Sequence, residues 1–136
     1  MRNITHLVVH CSATPQNTTI ESIKNYWKTV RKWVSPGYHF IIKANGEIVQ
    51  LLDIGQISNG VAGRNSTLIN ICYLGGVNTS GIPVDNRTPA QKTSLLSLLT
   101  ELKRKFPNAI IQGHRDFPGV AKACPSFDAK SEYSKL

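Results

Sequence analysis

The pattern of apolar and polar positions divides this chain into short apolar runs and two longer amphipathic segments. Apolar runs of about four to eight residues bounded by turn residues predict strands. Asn45-Gly46 favours a hairpin turn of the type that has positive φ at both central residues. Successive side chains alternate between the faces of a strand, so His10 is expected on the face opposite to Leu7. The predicted strands are residues 4–11, 38–43, 47–52, 68–74 and 109–112.

Two segments have the periodicity of amphipathic helices. In the first, Thr18 and Glu21 have the spacing of a capping box, and the helix is expected to end near Trp33. The second opens at residues 88–91, TPAQ, a capping box with proline in the first helical position, and Pro107 stops it. The apolar stripes of the two helices are Ile20, Ile23, Trp27 and Val30, and Leu95, Leu98, Leu99, Leu102 and Phe106.

Strands interspersed with these helices predict an α/β fold with a central mixed β-sheet flanked by helices. A short last helix is expected from Asp128, and residues 53–67, rich in Gly, Asn and Ser, are expected to form a long surface loop. The chain has 136 residues and no repeat, low-complexity segment or linker. We therefore expect a single domain over residues 1–136.

The composition is that of a soluble folded protein, with 40% hydrophobic and 18% charged residues, and it argues against disorder. No apolar run approaches the roughly 20 residues that a membrane span requires, so none is expected. Residues 1–14 alternate like a strand and lack the apolar core of a secretory signal. We therefore expect the protein to be made in the cytoplasm without a signal peptide.

The formal net charge of +8 suits an anionic polymer such as nucleic acid, an anionic membrane or a bacterial wall. The basic residues are spread along the chain, so a solvated basic face is the simplest interpretation, and attraction to a wall comes second. Nucleic acid is not expected as a partner, because no binding motif with interleaved exposed aromatic residues is present. Nothing in the sequence argues against a monomer.

Glycine and proline residues make residues 113–128 a loop that follows the last apolar run. The loop carries His114 and Cys124, and His10 lies near the end of the first apolar run. Two imidazoles and one thiolate are a normal donor set for a catalytic zinc ion with one open position for water. Each residue also has a structural alternative. His10 could be a hydrogen-bonded histidine at a strand end, His114 a helper in a surface loop, and Cys124 a small buried apolar residue.

Lys122 and Tyr38 are the candidate catalytic residues beside this set. Pro125 favours an extended backbone at Cys124, and residues two apart in an extended segment point the same way. Lys122 would then face the metal cavity and stabilise negative charge on a carbonyl oxygen. The hydroxyl of Tyr38 could reach the cavity rim, whereas His39 would point to the opposite face and be structural. A plain surface lysine and a half-buried aromatic residue are the alternatives.

Several other reactive side chains are given structural roles. His6 shares a face with His10, but four residues of strand separate them by about 13 Å, too far for both to bind one metal. Cys11 and Cys72 lie in apolar runs and are interpreted as buried thiols, with a bridge between them as the less favoured alternative. Asp116 is expected to brace its loop by hydrogen bonds.

Six segments of the chain resemble, in the same order, the phage-lysozyme-type zinc amidases, which belong with the peptidoglycan recognition proteins. They cover nearly the whole chain, and the first and last together form a specific pairing. The segments are HCSAT at 10–14, PGYHFII at 36–42, NICYLGG at 70–76, TPAQ at 88–91, GHRD at 113–116 and KACPSFD at 122–128.

The resemblance implies an N-acetylmuramoyl-L-alanine amidase of the endolysin type, which cuts the amide bond between muramic acid and the first L-alanine of the peptidoglycan stem. It implies Zn²⁺ on His10, His114 and Cys124, with Tyr38 and Lys122 in the positions of the family's catalytic tyrosine and lysine. The implied fold is a central mixed sheet flanked by helices, with the substrate groove across the zinc face. Such an enzyme is expected to act on the wall after release by lysis or assisted export.

Two positions depart from the family's pattern. Relatives often carry a histidine, in a Ser-His-Ala type segment, in the loop where this chain reads SNGVAG at residues 58–63 and has no histidine. Asn70 stands where relatives usually have glycine. We expect both departures to affect substrate preference rather than the metal, with Asn59 as a replacement contact.

Three other functions remain as alternatives. A peptidoglycan-binding module without catalysis is the main one, although the presence of Cys124 favours an enzyme, because in the recognition-protein branch loss of the cysteine accompanies loss of activity. A nucleic-acid binder rests only on the net charge, and its binding would fall steeply with salt. A peptidase on the same scaffold would differ in its released products.

Overall fold

Five strands and three helices form the regular structure of residues 2–136, the part of the chain that the computed structural model describes. The strands are β1 (His6–Cys11), β2 (Phe40–Ile42), β3 (Ile48–Gln50), β4 (Leu68–Tyr73) and β5 (Ile110–Gly113). The helices are α1 (Ile20–Thr29), α2 (Pro89–Lys105) and α3 (Ala129–Glu132). Short 3-10 turns lie at Asn65–Thr67 and His114–Asp116.

The strands form one mixed sheet in the order β3-β2-β4-β1-β5. β1 runs parallel to both β4 and β5, and β4 runs parallel to β2, whereas β2 and β3 form an antiparallel hairpin. Helices α2 and α3 cover one face, and α1 covers part of the other. The predicted α/β fold with a central mixed sheet flanked by helices is therefore confirmed.

The hairpin turn differs in type from the prediction. Gly46 has a φ of 89°, but Asn45 is not among the residues with positive φ. The backbone N–H of Lys43 donates to the carbonyl of Glu47 and that of Gly46 donates to the carbonyl of Lys43, over 2.9 and 2.8 Å. The loop is therefore three residues long, and in such loops only the last residue needs the left-handed conformation.

The two faces of β1 have different environments, as its alternation predicts. Leu7 and Val9 belong to the large core beneath α2 and α3. Val8 points to the other face and packs with Val61 and Phe117. His10 has the same parity as Val8, so its side chain emerges on the α1 side of the sheet.

Helix α1 begins one residue later than predicted. Its N-cap is Thr19, whose hydroxyl accepts the backbone N–H of Ser22 over 3.1 Å. The proposed capping box of Thr18 and Glu21 is therefore wrong. With Thr19 as the cap, Glu21 lies in the first turn, where its negative charge interacts favourably with the positive end of the helix dipole.

Helix α1 also ends earlier than predicted, at Thr29 rather than near Trp33. The backbone reverses at Lys32, which has a φ of 59°, and the N–H of Trp33 then donates to the carbonyl of Trp27 over 3.0 Å. Val30, predicted to lie on the buried stripe, is 62% exposed. The buried stripe ends at Trp27 because the helix ends at Thr29 and the chain then turns away from the sheet.

Helix α2 is capped as predicted. The Thr88 hydroxyl accepts the N–H of Gln91 over 3.0 Å, and the Gln91 side chain accepts the N–H of Thr88 over 2.9 Å. Pro89 occupies the first turn, where its missing N–H has no helical partner to lose. Among the helices within residues 2–136, none has the length and apolar character that crossing a membrane requires.

The loop of residues 53–67 is only partly at the surface. Ser58 is fully buried and Val61 is nearly so. The Asn65 side-chain oxygen accepts the backbone N–H groups of Gly60 and Val61 over 3.1 and 2.8 Å, which closes the loop on itself. The predicted irregular loop is present, but its middle packs beneath the α1 face of the sheet.

Candidate metal centre

Parallel pairing brings His10 and His114 to the same edge of the sheet. Gly113, the last residue of β5, is in register with Val9 of β1. One residue further along each strand stand His114 and His10, whose ring centroids are 4.9 Å apart. The carboxyl ends of parallel strands meet at one edge, so two histidines far apart in sequence become neighbours.

The loop after β5 folds back to place Cys124 beside the end of β1. The backbone N–H of Arg115 donates to the carbonyl of Cys124 over 2.9 Å, and the N–H of Cys11 donates to the Cys124 Sγ over 3.2 Å. Asp116 braces the loop as predicted, since its carboxylate accepts the N–H of Gly113 over 2.8 Å. The hydroxyl of Tyr73, the last residue of β4, also holds this loop by donating to the carbonyl of Pro125 over 2.6 Å.

The donor atoms of His10, His114 and Cys124 all lie within 4.8 Å of one another. The Sγ of Cys124 is 3.9 Å from Nδ1 of His10. In a tetrahedral zinc site, bond lengths of about 2.0–2.1 Å to nitrogen and 2.3 Å to sulfur put such a pair about 3.6 Å apart. The donor set and its spacing therefore fit a zinc ion with three protein ligands.

The electrostatics of the two histidines suit metal binding. Burial, with the neighbouring His114 adding to it, lowers the pKa of His10 to about 3. Burial and the positive charge of Lys122 also lower the pKa of His114. Both rings are therefore neutral at neutral pH, and a neutral imidazole is the form that binds a metal.

The Cys124 thiol has an unusual neighbour in the Cys11 thiol. In the metal-free protein, the hydrogen bond between the two thiols and the burial of its own sulfur raise the pKa of Cys124. A cation at the site reverses this preference, because a coordinated thiol loses its proton. Cys11 and Cys72 are free, buried thiols, in accordance with the sequence interpretation.

Tyr38 packs at the rim of the two histidines. Its ring centroid is 5.0 Å from that of His10 and 5.5 Å from that of Trp27 in α1. Trp27 lies so close to Gly37 that a Cβ there would be 3.0 Å from the indole ring. Burial raises the pKa of Tyr38, so its hydroxyl keeps its proton.

Lys122 is an exposed residue of the same loop, two positions before Cys124. Its positive charge helps to lower the pKa of both His10 and His114. The catalytic roles of Lys122 and Tyr38 stay predictions.

The remaining histidines lie apart from this site. His39 is fully buried, and its Nε2 and Nδ1 atoms bond the carbonyl of Gln56 and the N–H of Asn70 over 2.7 and 3.0 Å. His6 bonds Thr5 through its Nδ1 over 2.8 Å, and is not part of the metal-ligand group. These contacts agree with the sequence interpretation, in which His39 is structural and His6 is too far from His10 to share a metal with it.

Asn70 lies next to a candidate metal ligand, which was not predicted from the sequence. It was assigned to substrate preference, but it is fully buried and its Oδ1 lies 2.7 Å from Nε2 of His10. Asn59 donates its side-chain N–H to the carbonyl of Ser35 over 2.9 Å, in the segment between α1 and β2. An uncharged polar residue inside the apolar run 68–74 was the available signal, because such a residue must find a buried partner.

Comparison with known proteins connects this geometry to a family. A family model described as N-acetylmuramoyl-L-alanine amidase matches residues 1–127. The endolysin of Klebsiella phage KP32 is 39% identical over 131 residues, which cover 95% of this chain and 85% of that protein. Both matches span the three candidate ligands.

Solved structures give the same picture. The structure of LysC, an N-acetylmuramoyl-L-alanine amidase from Clostridium intestinale, is similar with a TM-score of 0.79 at 27% identity, over 96% of this chain and 82% of that one. Drosophila PGRP-LB is similar in fold, with a TM-score of 0.79 at 18% identity over 100% of this chain and 82% of that one.

Proposed function

This chain belongs to the N-acetylmuramoyl-L-alanine amidase family, and from that membership we propose that it cleaves peptidoglycan with a zinc ion held by His10, His114 and Cys124. Its reaction is hydrolysis of the amide bond between N-acetylmuramic acid and L-alanine. The observation that supports the metal is the convergence of the three donor atoms within 4.8 Å at one sheet edge. The domain prediction for residues 1–136 stays a prediction.

The chemistry divides between the metal and the side chains around it. A zinc ion in such a site supplies an activated water and a Lewis acid for the scissile carbonyl. The chain supplies two neutral imidazoles and one thiolate, a donor set of net charge −1 that leaves a positive centre. Addition of water across the amide bond then releases a lactyl carboxylate and the amine of L-alanine.

Lys122 is proposed to stabilise the negative charge that develops on the carbonyl oxygen. Lys122 lies in the loop that carries Cys124, and its positive charge helps to lower the pKa of both His10 and His114. A fixed positive charge aimed at a developing oxyanion contributes more to the transition state than to the ground state. Lys122 would therefore lower the barrier without being needed to hold the metal.

Tyr38 is proposed to orient the attacking water or to assist proton transfer to the leaving amine. Its ring packs beside His10, and its hydroxyl keeps its proton because burial raises its pKa. A protonated phenol can donate a hydrogen bond to a lone pair on water, or to the leaving nitrogen once addition to the carbonyl has removed its amide resonance. The ring contacts with Trp27 and His10 fix its position before substrate binds.

The place of action is also part of the proposal. We infer that the enzyme acts on the cell wall, as an endolysin does, and reaches it by lysis or assisted export. Its net charge of +8 would favour association with an anionic wall. A monomer suffices for this chemistry, because all three proposed ligands come from one chain.

The decisive test is end-group analysis of purified peptidoglycan after digestion. We expect the zinc-loaded protein to release new L-alanine amino groups without new reducing sugar ends. Chelation and Cys124→Ser should each abolish that release, and added zinc should restore only the chelated sample. New amino groups that persist after full metal removal would overturn the zinc proposal. Their absence from zinc-loaded protein would favour a binding module without catalysis.

A further inference from the structure

A chain of buried hydrogen bonds lies directly beneath His10. The Oδ1 of Asn70 is 2.7 Å from Nε2 of His10, and the Nδ2 of Asn70 is 2.7 Å from the hydroxyl of Ser58. That hydroxyl is 3.3 Å from Nδ1 of His39. All four side chains are at most 1% exposed, so water does not compete for these contacts.

Backbone groups fix the direction of this chain at its far end. The N–H of Asn70 can only donate, and it lies 3.0 Å from Nδ1 of His39, so that nitrogen carries no proton. The proton of His39 is on Nε2, because the 2.7 Å contact of Nε2 with the carbonyl of Gln56 is much shorter than its 3.3 Å contact with the guanidinium of Arg2. The Ser58 hydroxyl can then donate to Nδ1 of His39 and accept from Asn70.

A second contact fixes the orientation of the Asn70 amide. The Oδ1 of Asn65 accepts the backbone N–H groups of Gly60 and Val61, so it acts as an acceptor. The Asn70 atom that faces it at 3.4 Å must therefore be the nitrogen. The Asn70 oxygen then points at His10, where it can only accept a hydrogen bond.

This polarity determines the state of His10. Its Nε2 must carry the proton that it donates to Asn70. Its Nδ1 is then left with a free lone pair, and Nδ1 is the atom that lies 3.9 Å from the Cys124 Sγ. The ring is thus fixed both in tautomer and in rotation before any metal arrives.

We propose that Asn70 is a positioning residue for the metal: it holds His10 as the Nε2–H tautomer and aims Nδ1 at the ion. The proposal rests on the zinc site of the proposed function. Metal-binding histidines commonly donate their second N–H to an acceptor that orients the ring, and loss of that acceptor costs about 10–100-fold in affinity. Here the acceptor is an amide on β4, the strand next to that of His10.

Space for the amide is made by the loop above it. A Cβ on Gly60 would lie 2.3 Å from Cγ of Asn70, so any side chain at position 60 would displace the amide. This chain departs from the family's pattern in the loop of residues 58–63 and at Asn70, and the two departures therefore meet at one contact. That contact lies next to His10, so both departures are connected to the candidate metal ligand.

The test compares zinc affinities of the whole protein and of four variants, measured by competition with a chromogenic chelator. Asn70→Leu keeps the approximate size but cannot accept a hydrogen bond, and Asn70→Ala avoids any steric conflict if the leucine variant does not fold. Asn70→Asp keeps an acceptor at the same position. Asn59→Ala is the matched control, since the Asn59 amide bonds Ser35 and does not contact His10.

We expect the leucine and alanine variants to bind zinc about 10–100-fold more weakly. The aspartate and control variants should stay within about threefold of the native affinity. Equal zinc affinity in all variants would overturn the inference. An aspartate variant as weak as the alanine variant would also overturn it, since packing alone would then explain the loss.

A second readout distinguishes this inference from the zinc proposal itself. The ¹⁵N chemical shifts of the His10 ring report its tautomer in the metal-free protein. We expect Nε2–H in the native protein and in Asn59→Ala, and a mixture of tautomers in Asn70→Ala. Nδ1–H in the native protein would refute the role of Asn70. Failure of the native protein to bind zinc would instead refute the proposed function, while the tautomer result stands on its own.

Discussion

The backbone N–H of Cys11 donates a hydrogen bond to the Sγ of Cys124 over 3.2 Å, across 113 residues of sequence. Strand β1 therefore contributes twice to the candidate metal centre, through the ring of His10 and through the next N–H of its backbone. A backbone donor stabilises a thiolate sulfur, which is the form that a zinc ligand takes. The Cys11 side chain itself packs against Gly76, and its Sγ lies 3.8 Å from the hydroxyl of Ser126.

This geometry predicts different results for the two cysteines. Cys124→Ser should reduce zinc stoichiometry from one ion per chain to nearly none at micromolar zinc, because it replaces the thiolate ligand. Cys11→Ala should keep one ion per chain, because its contribution is a backbone N–H that alanine retains. Metal analysis after dialysis measures both. Loss of zinc from Cys11→Ala, in a variant that still folds, would mean that its thiol binds the metal.

A second prediction concerns Lys122. Lys122→Ala should lower kcat by about 100-fold or more, as expected when a charge that stabilises an oxyanion is removed. It should leave zinc bound, because the protonated amine of Lys122 has no lone pair with which to bind a metal. Lys92→Ala is the matched control, since Lys92 is an exposed lysine of α2, on the other side of the sheet. Release of amino groups and metal content are measured on the same samples, and near-native turnover of Lys122→Ala would exclude the role.

The three candidate metal ligands could be singled out from the sequence because their residue types and segments are distinctive. His10, His114 and Cys124 come together in the structure as one group. The sheet, its helices and the α2 cap also follow from local patterns. A capping box, or a change from strand-like to helical spacing of apolar residues, can be recognised within a few residues.

The role of Asn70 could not be predicted in the same way. It depends on the parallel register of β1 and β4, in which Val8 is opposite Asn70 and His10 is opposite Cys72. The register between strands that are 60 residues apart in sequence is decided by packing, so it cannot be predicted from the local sequence of either strand. The start of α1 at Thr19 was missed for a smaller reason, because Thr18 and Thr19 are both good caps.

A third prediction concerns the ion pairs that hold the segment before α2 against α3. The side chain of Arg87 is 1% exposed, bonds the carboxylates of Asp85 and Glu132 over 2.9 Å each, and lies 3.4 Å above the ring of Phe127. Arg87→Met should destabilise the fold by about 2–3 kcal/mol, near the lower end for a buried pair, because both carboxylates are partly solvated. Urea denaturation measures the change, and a loss below 0.5 kcal/mol would contradict it.

The same network predicts a dependence of stability on pH. Hydrogen bonds from Arg87 lower the pKa of Asp85 and of Glu132 below their ordinary values of 3.8 and 4.5. In the acidic range the folded protein then binds fewer protons than the unfolded chain. The stabilisation is complete above about pH 5 and is lost as the pH falls through the folded pKa values. Urea midpoints between pH 3 and 6 should fall less steeply in Arg87→Met than in the native protein, and parallel curves would refute the linkage.

The last prediction tests how closely the loop must approach the sheet. Gly113 ends β5 just before His114, and a Cβ built on it would lie 2.5 Å from Cδ of Pro125, the residue after Cys124. Gly113→Ala should push the loop outward and separate the thiolate from the two imidazoles, because the ring of Pro125 has no free rotamer to escape. We expect zinc affinity to fall by more than tenfold, while overpacking costs about 1–3 kcal/mol of stability.

Gly55→Ala is the control, since Gly55 is exposed and the nearest atom to its added Cβ is 3.5 Å away. Chelator competition and thermal melting of the metal-free proteins separate the two effects, and native zinc affinity in Gly113→Ala would show that the loop can shift without moving Cys124.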